Sequence, residues 1–295
     1  MDATVRFLAG RVLASALVLV LLSLLVFLMV RLIPGDPAAQ YFSAGDPDPA
    51  QGAEVRAMLG LDQPWPVQYA EWAGRLLTGD FGRSMAQPVD INAMLAERLP
   101  VSLTLALVAT LFGVLAGVLG GVVSSWRAGS LVDVSIQSLG FFAIAVPGFV
   151  LGTLLIALNS FSAQLPIVGF GFFEGQPATQ ALTLLVPAVL LGLRPAAIIC
   201  RYTRNTLLDT YGEDFTRTAR AKGIGSVRLV TRHSLRNAMI PVTTVTGIEL
   251  GALVGGTIVI EAVFGLPGIG SMLMSAVNSS DYPTIQAAVL VIGVV

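Results

Sequence analysis

Apolar residues in this chain gather into long unbroken runs separated by polar stretches. They do not follow the short alternation of a half-buried strand or the three-to-four spacing of a soluble amphipathic helix. A segment needs about 20 mostly apolar residues to cross roughly 30 Å of hydrocarbon. The first such run, VLASALVLVLLSLLVFLMV from Val12 to Val30, carries no charge and ends at Arg31. A signal peptide would have a shorter apolar region and a small-residue cleavage site, so this run reads as a retained helix. The second run is Val101–Val123. The third is Val134–Leu158, with a kink expected at Pro147. The fourth, Ala181–Cys200, contains Pro187, Arg194 and Pro195, and the fifth, Ala238–Ile260, holds Glu249 near its middle. A sixth begins near Pro283 and is still apolar at Val295. That leaves about 13 residues, too few to span, so the expectation is a sequence cut short within its last span.

Composition strengthens the same picture. The 295 residues are 55% hydrophobic and 12% charged, with mean hydropathy +0.80, whereas a soluble domain carries about 25% charged residues. The fold class expected is all-α, a polytopic membrane protein with about six transmembrane helices. A net charge of −1 points neither to a nucleic-acid binder nor to an acidic tail. The single cysteine, Cys200, excludes an internal disulfide and a Cys-based zinc cluster. The single histidine, His233, argues against a His-rich metal site.

Charge then sets the orientation, because short loops rich in Arg and Lys stay cytoplasmic. Arg6 and Arg11, Arg127, and the stretch from Arg201 to Arg236 alternate with a long acidic segment after the first span and a short one holding Glu174. The N-terminus is expected in the cytoplasm, the protein being multi-pass in its membrane. Three regions follow: residues 1–32 with the first helix, residues 33–100 as an extracytoplasmic loop region, and residues 101–295 as a membrane core with a cytoplasmic loop at 201–237. The outer loop opens in the Pro-, Gly- and Asp-rich IPGDPAAQYFSAGDPDPAQ, which predicts turns. AEVRAMLGL and VQYAEWAGRLL have helical spacing, and Trp65, Tyr69 and Trp72 suit a membrane interface.

The densest positive charge lies in GEDFTRTARAKGIGSVRLVTRHSLRN, Gly212–Asn237. Arg217, Arg220, Lys222, Arg228, Arg232 and Arg236 face only two acids there, Glu213 and Asp214. Those acids suit the start of a helix, and Gly223 and Gly225 should end it. A second short helix resumes after them. The positive-inside rule alone explains the sign of this charge but not an ordered helix–Gly–helix.

The segment YGEDFTRTARAKGIGSVRLVTRHSLRNAMIPV resembles the signature loop of permease subunits in bacterial ABC importers of the dipeptide, oligopeptide and nickel class. The general importer pattern is Glu-Ala-Ala, three residues, Gly, nine residues, then Ile-x-Leu-Pro. Here Arg217, Thr218 and Ala219 stand where Glu-Ala-Ala would, Gly223 is in place, and His233–Arg236 replaces the last block. These departures are usual in the peptide branch. RLIPGDPA (Arg31–Ala38), GDFGRSM (Gly79–Met85), ERLPVSLTLAL and the stretch Glu261–Ala287 resemble the first of the two permeases in such systems. The resemblance covers nearly the whole chain.

That resemblance implies an ABC importer type I permease fold and an assembly of two permeases, two ATPase subunits or one fused ATPase, and an extracytoplasmic solute-binding protein. The partner permease would be non-identical. Glu213, Asp214, Thr218, Ala219, Arg220, Ala221, Lys222 and Gly223 would form the ATPase-coupling helix, Ala219 and Ala221 letting it lie close in a groove of the ATPase. No Walker-type GxxxxGK[ST] occurs. The chain would therefore be no enzyme and would hold no cofactor, ATP and Mg belonging to the partners. The implied cargo is a di- or oligopeptide; nickel or another small solute is the alternative within the class.

Three candidates for the translocation path stand out. Glu249 in mid-span is costly unless it faces protein or water, and it reads equally as a path residue meeting a peptide amine or as a structural hydrogen-bonding group. Met272 and Met274, in LPGIGSMLMSAV, read as soft gating side chains or as plain packing in a short outer helix. Arg194 reads as snorkelling to the cytoplasmic interface or as pairing with Glu249. Readings from other classes are an autonomous ion-coupled carrier, a membrane-embedded enzyme and a lipid-binding scaffold. The lack of a second intramembrane acid and of an inverted repeat weighs against the carrier.

Overall fold

The computed structural model describes residues 3–32, 62–87, 89–161, 165–169, 177–230 and 234–294. The predicted turns after Ile33, the AEVRAMLGL segment, Glu174, Arg232 and His233 lie outside the described residues. Among those described, the secondary structure is helical, apart from an isolated antiparallel bridge between Arg83 and Asp90. The helices, in chain order, are α1 Ala3–Leu32, α2 Trp65–Leu77, α3 Ile91–Trp126, α4 Leu131–Ala145, α5 Gly148–Phe161, α6 Pro177–Tyr211, α7 Asp214–Ala221, α8 Ser226–Leu229, α9 Leu235–Phe264, α10 Ile269–Asn278 and α11 Tyr282–Val294.

Three described helices are long and apolar enough to cross a membrane: Val5–Met29, Ile91–Trp126 and Thr183–Tyr211. Two bent pairs bring the number to five if each counts as one span. The kink expected at Pro147 is a full break, with α4 and α5 meeting at 94°. Proline disfavours the helical region for the residue before it. Val146 accordingly takes φ −98° and ψ 118°, and α4 ends at Ala145. Alone, α4 with its 15 residues is only about 22 Å long at about 1.5 Å per residue, so neither arm spans by itself. Pro187, Pro195 and Pro241, by contrast, sit inside continuous helices, which neighbouring helices make tolerable in membranes. The fifth span is also bent, by 48° between Leu253 and Gly255. The sixth run forms α11, 13 residues long.

The chain divides into two compact units, Met1–Pro100 with Gly268–Val295, and Val101–Pro267. In the first, Ile91, Leu95, Ile269, Met272, Ala287 and Ala288 form a buried cluster. Helix α2 leans on α1 through the rings of Phe27, Tyr69 and Trp72, and Tyr69 Oη is 2.8 Å from Ser23 Oγ. Asp281 is the polar anchor: its carboxylate accepts from Ser84 Oγ at 2.5 Å, Met85 N at 3.0 Å and Thr284 Oγ1 at 2.6 Å. One side chain thus ties the GDFGRSM loop to the corner between α10 and α11.

In the second unit, α6 runs through the middle and packs against α4, α5 and α9. Val101, Leu105, Ala109, Ala188, Leu191, Leu253, Ile260 and Phe264 fill its core. Gly113, Gly117 and Gly121 recur every fourth residue and so share one face of α3. That face lies directly on α6. A Cβ on Gly117 would come 2.8 Å from the Ala196 carbonyl oxygen, and one on Gly121 would come 2.7 Å from that of Cys200. Small residues are what allow such backbone approach between membrane helices. Gly121→Val is expected to lower stability by about 1–3 kcal/mol through overpacking, read as an earlier thermal melt in detergent. Gly74→Ala, whose Cβ would meet nothing within 4 Å, should leave the melt in place.

Candidate functional site

The basic segment folds as an eight-residue helix followed by a turn. Helix α7 starts at Asp214, where its acid meets the positive end of the helix dipole. It ends at Gly223, whose φ of +75° is left-handed backbone that only glycine adopts without strain. Ile224 N–H reaches back to the Ala219 carbonyl at 3.2 Å, closing the helix with a 6→1 bond. Helix α8 then resumes at Ser226, as the second short helix anticipated.

Spacing decides which face of α7 is open. Thr216 and Ala219, three apart and therefore on one side, are buried within the chain. Thr216 Oγ1 donates to the Thr210 carbonyl at 2.8 Å, pinning α7 to the end of α6. The open side carries Glu213, Asp214, Arg217, Thr218, Ala221 and Lys222. Of the two alanines expected to face an ATPase groove, only Ala221 is exposed. Arg220 lies in the helix. Phe215 was not singled out from sequence, yet its ring is 36% exposed beside these charges, the one large apolar side chain on the open face.

Behind α7 stands a polar knot. Asp133, at the start of α4, is buried and accepts two bonds from Arg204 of α6, from Nε at 2.7 Å and Nη2 at 2.6 Å. Ser124 Oγ donates to it at 2.5 Å and Gly129 N–H at 2.9 Å. Gln137 Nε2 donates to Ser124 Oγ at 2.9 Å, and Ser125 Oγ lies 3.2 Å from Tyr211 Oη. The ends of α3 and α6 and the start of α4 are thereby joined, and two residues, Gly212 and Glu213, separate α6 from α7. A third buried acid, Glu261, accepts from Ser102 Oγ at 2.6 Å. The local sequence carried no signal for the Asp133–Arg204 pair: Arg204 stands in a polar stretch with Arg201 and Asp209, and Asp133 lies just before an apolar run.

A cleft of about 230 Å³ opens where α4 breaks into α5. Pro147 and Gly148 line it at the break, Leu190 and Arg194 on α6, and Glu249 and Gly256 on α9. The sequence placed Arg194 near the cytoplasmic end of its span. Helix α6 continues to Tyr211 in a polar extension that starts at Arg201, seven residues or about 10 Å beyond Arg194 at about 1.5 Å per residue. Arg194 is exposed and Glu249 half-buried, and they do not pair. Among the described residues, the ion pair formed is Arg204–Asp133. Met272 is packed in the buried cluster of the first unit, while Met274 is exposed. Among the described residues, no group of three or more His, Cys, Asp or Glu is placed to hold a metal.

Helices of this length and apolarity describe a multi-pass membrane protein with a short amphipathic helix held against the end of its central helix. Residues 109–295 match the binding-protein-dependent transport system inner membrane component family, and residues 4–106 match the N-terminal membrane component of such systems. The chain belongs to this family: it is a membrane permease component of an ABC transporter, with the all-α type I permease fold. It is 36% identical over 285 residues to the glutathione transport system permease of Salmonella choleraesuis, covering 97% of this chain and 90% of that one. It is 35% identical over 288 residues to a Sinorhizobium fredii protein named as a probable peptide ABC transporter permease, covering 97% and 91%. A Brucella suis protein named as a peptide permease is 37% identical over 296 residues, covering 98% and 92%. Membership favours the transport subunit over the autonomous carrier, the enzyme and the scaffold.

Removing one partner of a buried pair strands the other, at a cost of about 3–5 kcal/mol. Arg204→Ala, which leaves the buried Asp133 carboxylate without its cation, should destabilise the chain on that scale, and Asp133→Ala by less, because the Arg204 side chain is 22% exposed. The double variant should lose less than the sum, which a double-mutant cycle of unfolding in mixed detergent would read.

Proposed function

We propose that this chain is one of two non-identical permeases in an ATP-driven importer of di- or oligopeptides. It lies in the bacterial inner membrane with its N-terminus in the cytoplasm. An extracytoplasmic solute-binding protein delivers the peptide, and two ATPase subunits, or one fused ATPase, bind ATP and Mg and supply the energy. The helix Glu213–Gly223 docks on an ATPase subunit and carries its closure to the membrane helices. These helices then rock to give alternating access along a path that Glu249 faces. The observation that carries this reading is the open face of α7, a charged patch around an exposed aromatic ring on an element whose other side is pinned to α6. The names of the relatives, peptide and glutathione permeases, support the cargo.

On this reading Phe215 is the apolar anchor and Lys222 pairs with an acid of the ATPase. A central anchor is worth about 2 kcal/mol or more on truncation. The test is co-purification with the products of neighbouring genes and ATPase measurement in nanodiscs, with and without binding protein and dipeptide. Peptide-dependent stimulation is expected. Phe215→Ala and Lys222→Glu should each cut it by about tenfold or more while the permeases remain folded, since 1.4 kcal/mol is a factor of ten. Unchanged stimulation in both variants would remove the docking role. Absence of any associated ATPase would remove the importer.

A further inference from the structure

Arg194 and Glu249 share an unusual predicament. Each lies inside the apolar part of a long helix, where an ionisable side chain is expensive unless it faces water, a partner or a ligand. They do not neutralise each other, and they line the same cleft. The remaining lining named above is apolar or glycine. One wall therefore offers a cation, the other an anion, with greasy surface between.

We propose that this cleft is a transit site for short peptides with both termini free, Arg194 taking the terminal carboxylate and Glu249 the terminal ammonium. The proposal rests on the peptide-importer reading and adds a selectivity step inside the membrane. Size agrees: about 230 Å³ is below the roughly 300–1,000 Å³ of pockets for drug-sized ligands. It suits two residues, not a long chain. Chemistry agrees as well: the guanidinium fork matches a carboxylate with two parallel bonds, and a carboxylate takes an ammonium as a charged acceptor. The surrounding fold agrees too, since membrane carriers often hold solute beside interrupted helices. The 94° break at Pro147 is such an interruption. A Cβ on Gly148 would come 3.0 Å from the Leu190 carbonyl oxygen, so at that point the break and α6 are in near contact and the cleft is set by backbone.

The test uses the co-purified complex in nanodiscs. Ala252, exposed and lining the cleft, is changed to Cys in a Cys200→Ser background, and its maleimide labelling rate is followed. Glycyl-leucine should slow labelling at least fivefold, and N-acetyl-glycyl-leucine and glycyl-leucine amide should not. Glu249→Gln should raise the concentration for half-protection about tenfold, and Arg194→Gln likewise. Glu249→Gln should also erase the preference for the free over the acetylated N-terminus, a change that a merely structural Glu249 would not produce. Equal rates with and without glycyl-leucine, or an A252C thiol that never reacts, would overturn the site. Binding-protein-stimulated ATPase is measured on the same samples. If it persists while protection fails, the importer stands and the cleft does not. If neither is seen, the peptide-importer reading fails with it.

Discussion

The ion pair between Asp133 and Arg204 is the fixed point of the larger unit. Its geometry is the two-pronged one in which a guanidinium matches a carboxylate, and its remaining acceptor sites are filled by Ser124 and Gly129. Such a buried pair adds little net stability over apolar packing, because desolvating both charges costs nearly what their attraction returns. What it does supply is register. Arg204 fixes the rotation of α6 about its own axis against the turn between α3 and α4. The rotation of α6 in turn decides where Thr210 offers its carbonyl to Thr216, and hence which face of α7 looks outward. At the other depth of the same helix, it decides that Arg194 looks into the cleft.

The spans were legible because the signal that encodes them is long. A run of apolar residues survives any error in local propensity, and each of the five full runs became helix. The break at Pro147 was legible in position and not in size. Proline biases the residue before it away from the helix, and here α4 stops there, but the 94° angle is set by what the second arm packs against. Gly152 of α5 lies so close to α9 that a Cβ there would come 2.8 Å from the ring of Phe264. No window of sequence contains that contact.

The basic segment gave up its charge, its acid start and its terminating glycine for the same reason: each is a local rule. Its inner face stayed hidden because the residues that define it are Thr216 and Ala219, too small and too neutral to write a hydrophobic stripe. The length of α6 was not legible, because it outruns its apolar core by a polar extension, Arg201–Tyr211, that hydropathy assigns to a loop. Asp281 and Glu261 were passed over as parts of a motif. Each is better explained by what it holds: Ser84, Met85 and Thr284 in one case, Ser102 in the other.

The glycine face of α3 has a mechanical meaning. Where most helices meet, side chains interdigitate, and small displacements are absorbed by rotamer changes at little cost. At Gly117 and Gly121 there are no side chains to change, and α6 lies almost on the backbone of α3. A seam of this kind has low compliance. It cannot give by tenths of an ångström at many places; it must hold or slip as a whole. With one end tied by Arg204 as well, α3 and α6 are built to move as a single plank and not to slide past one another.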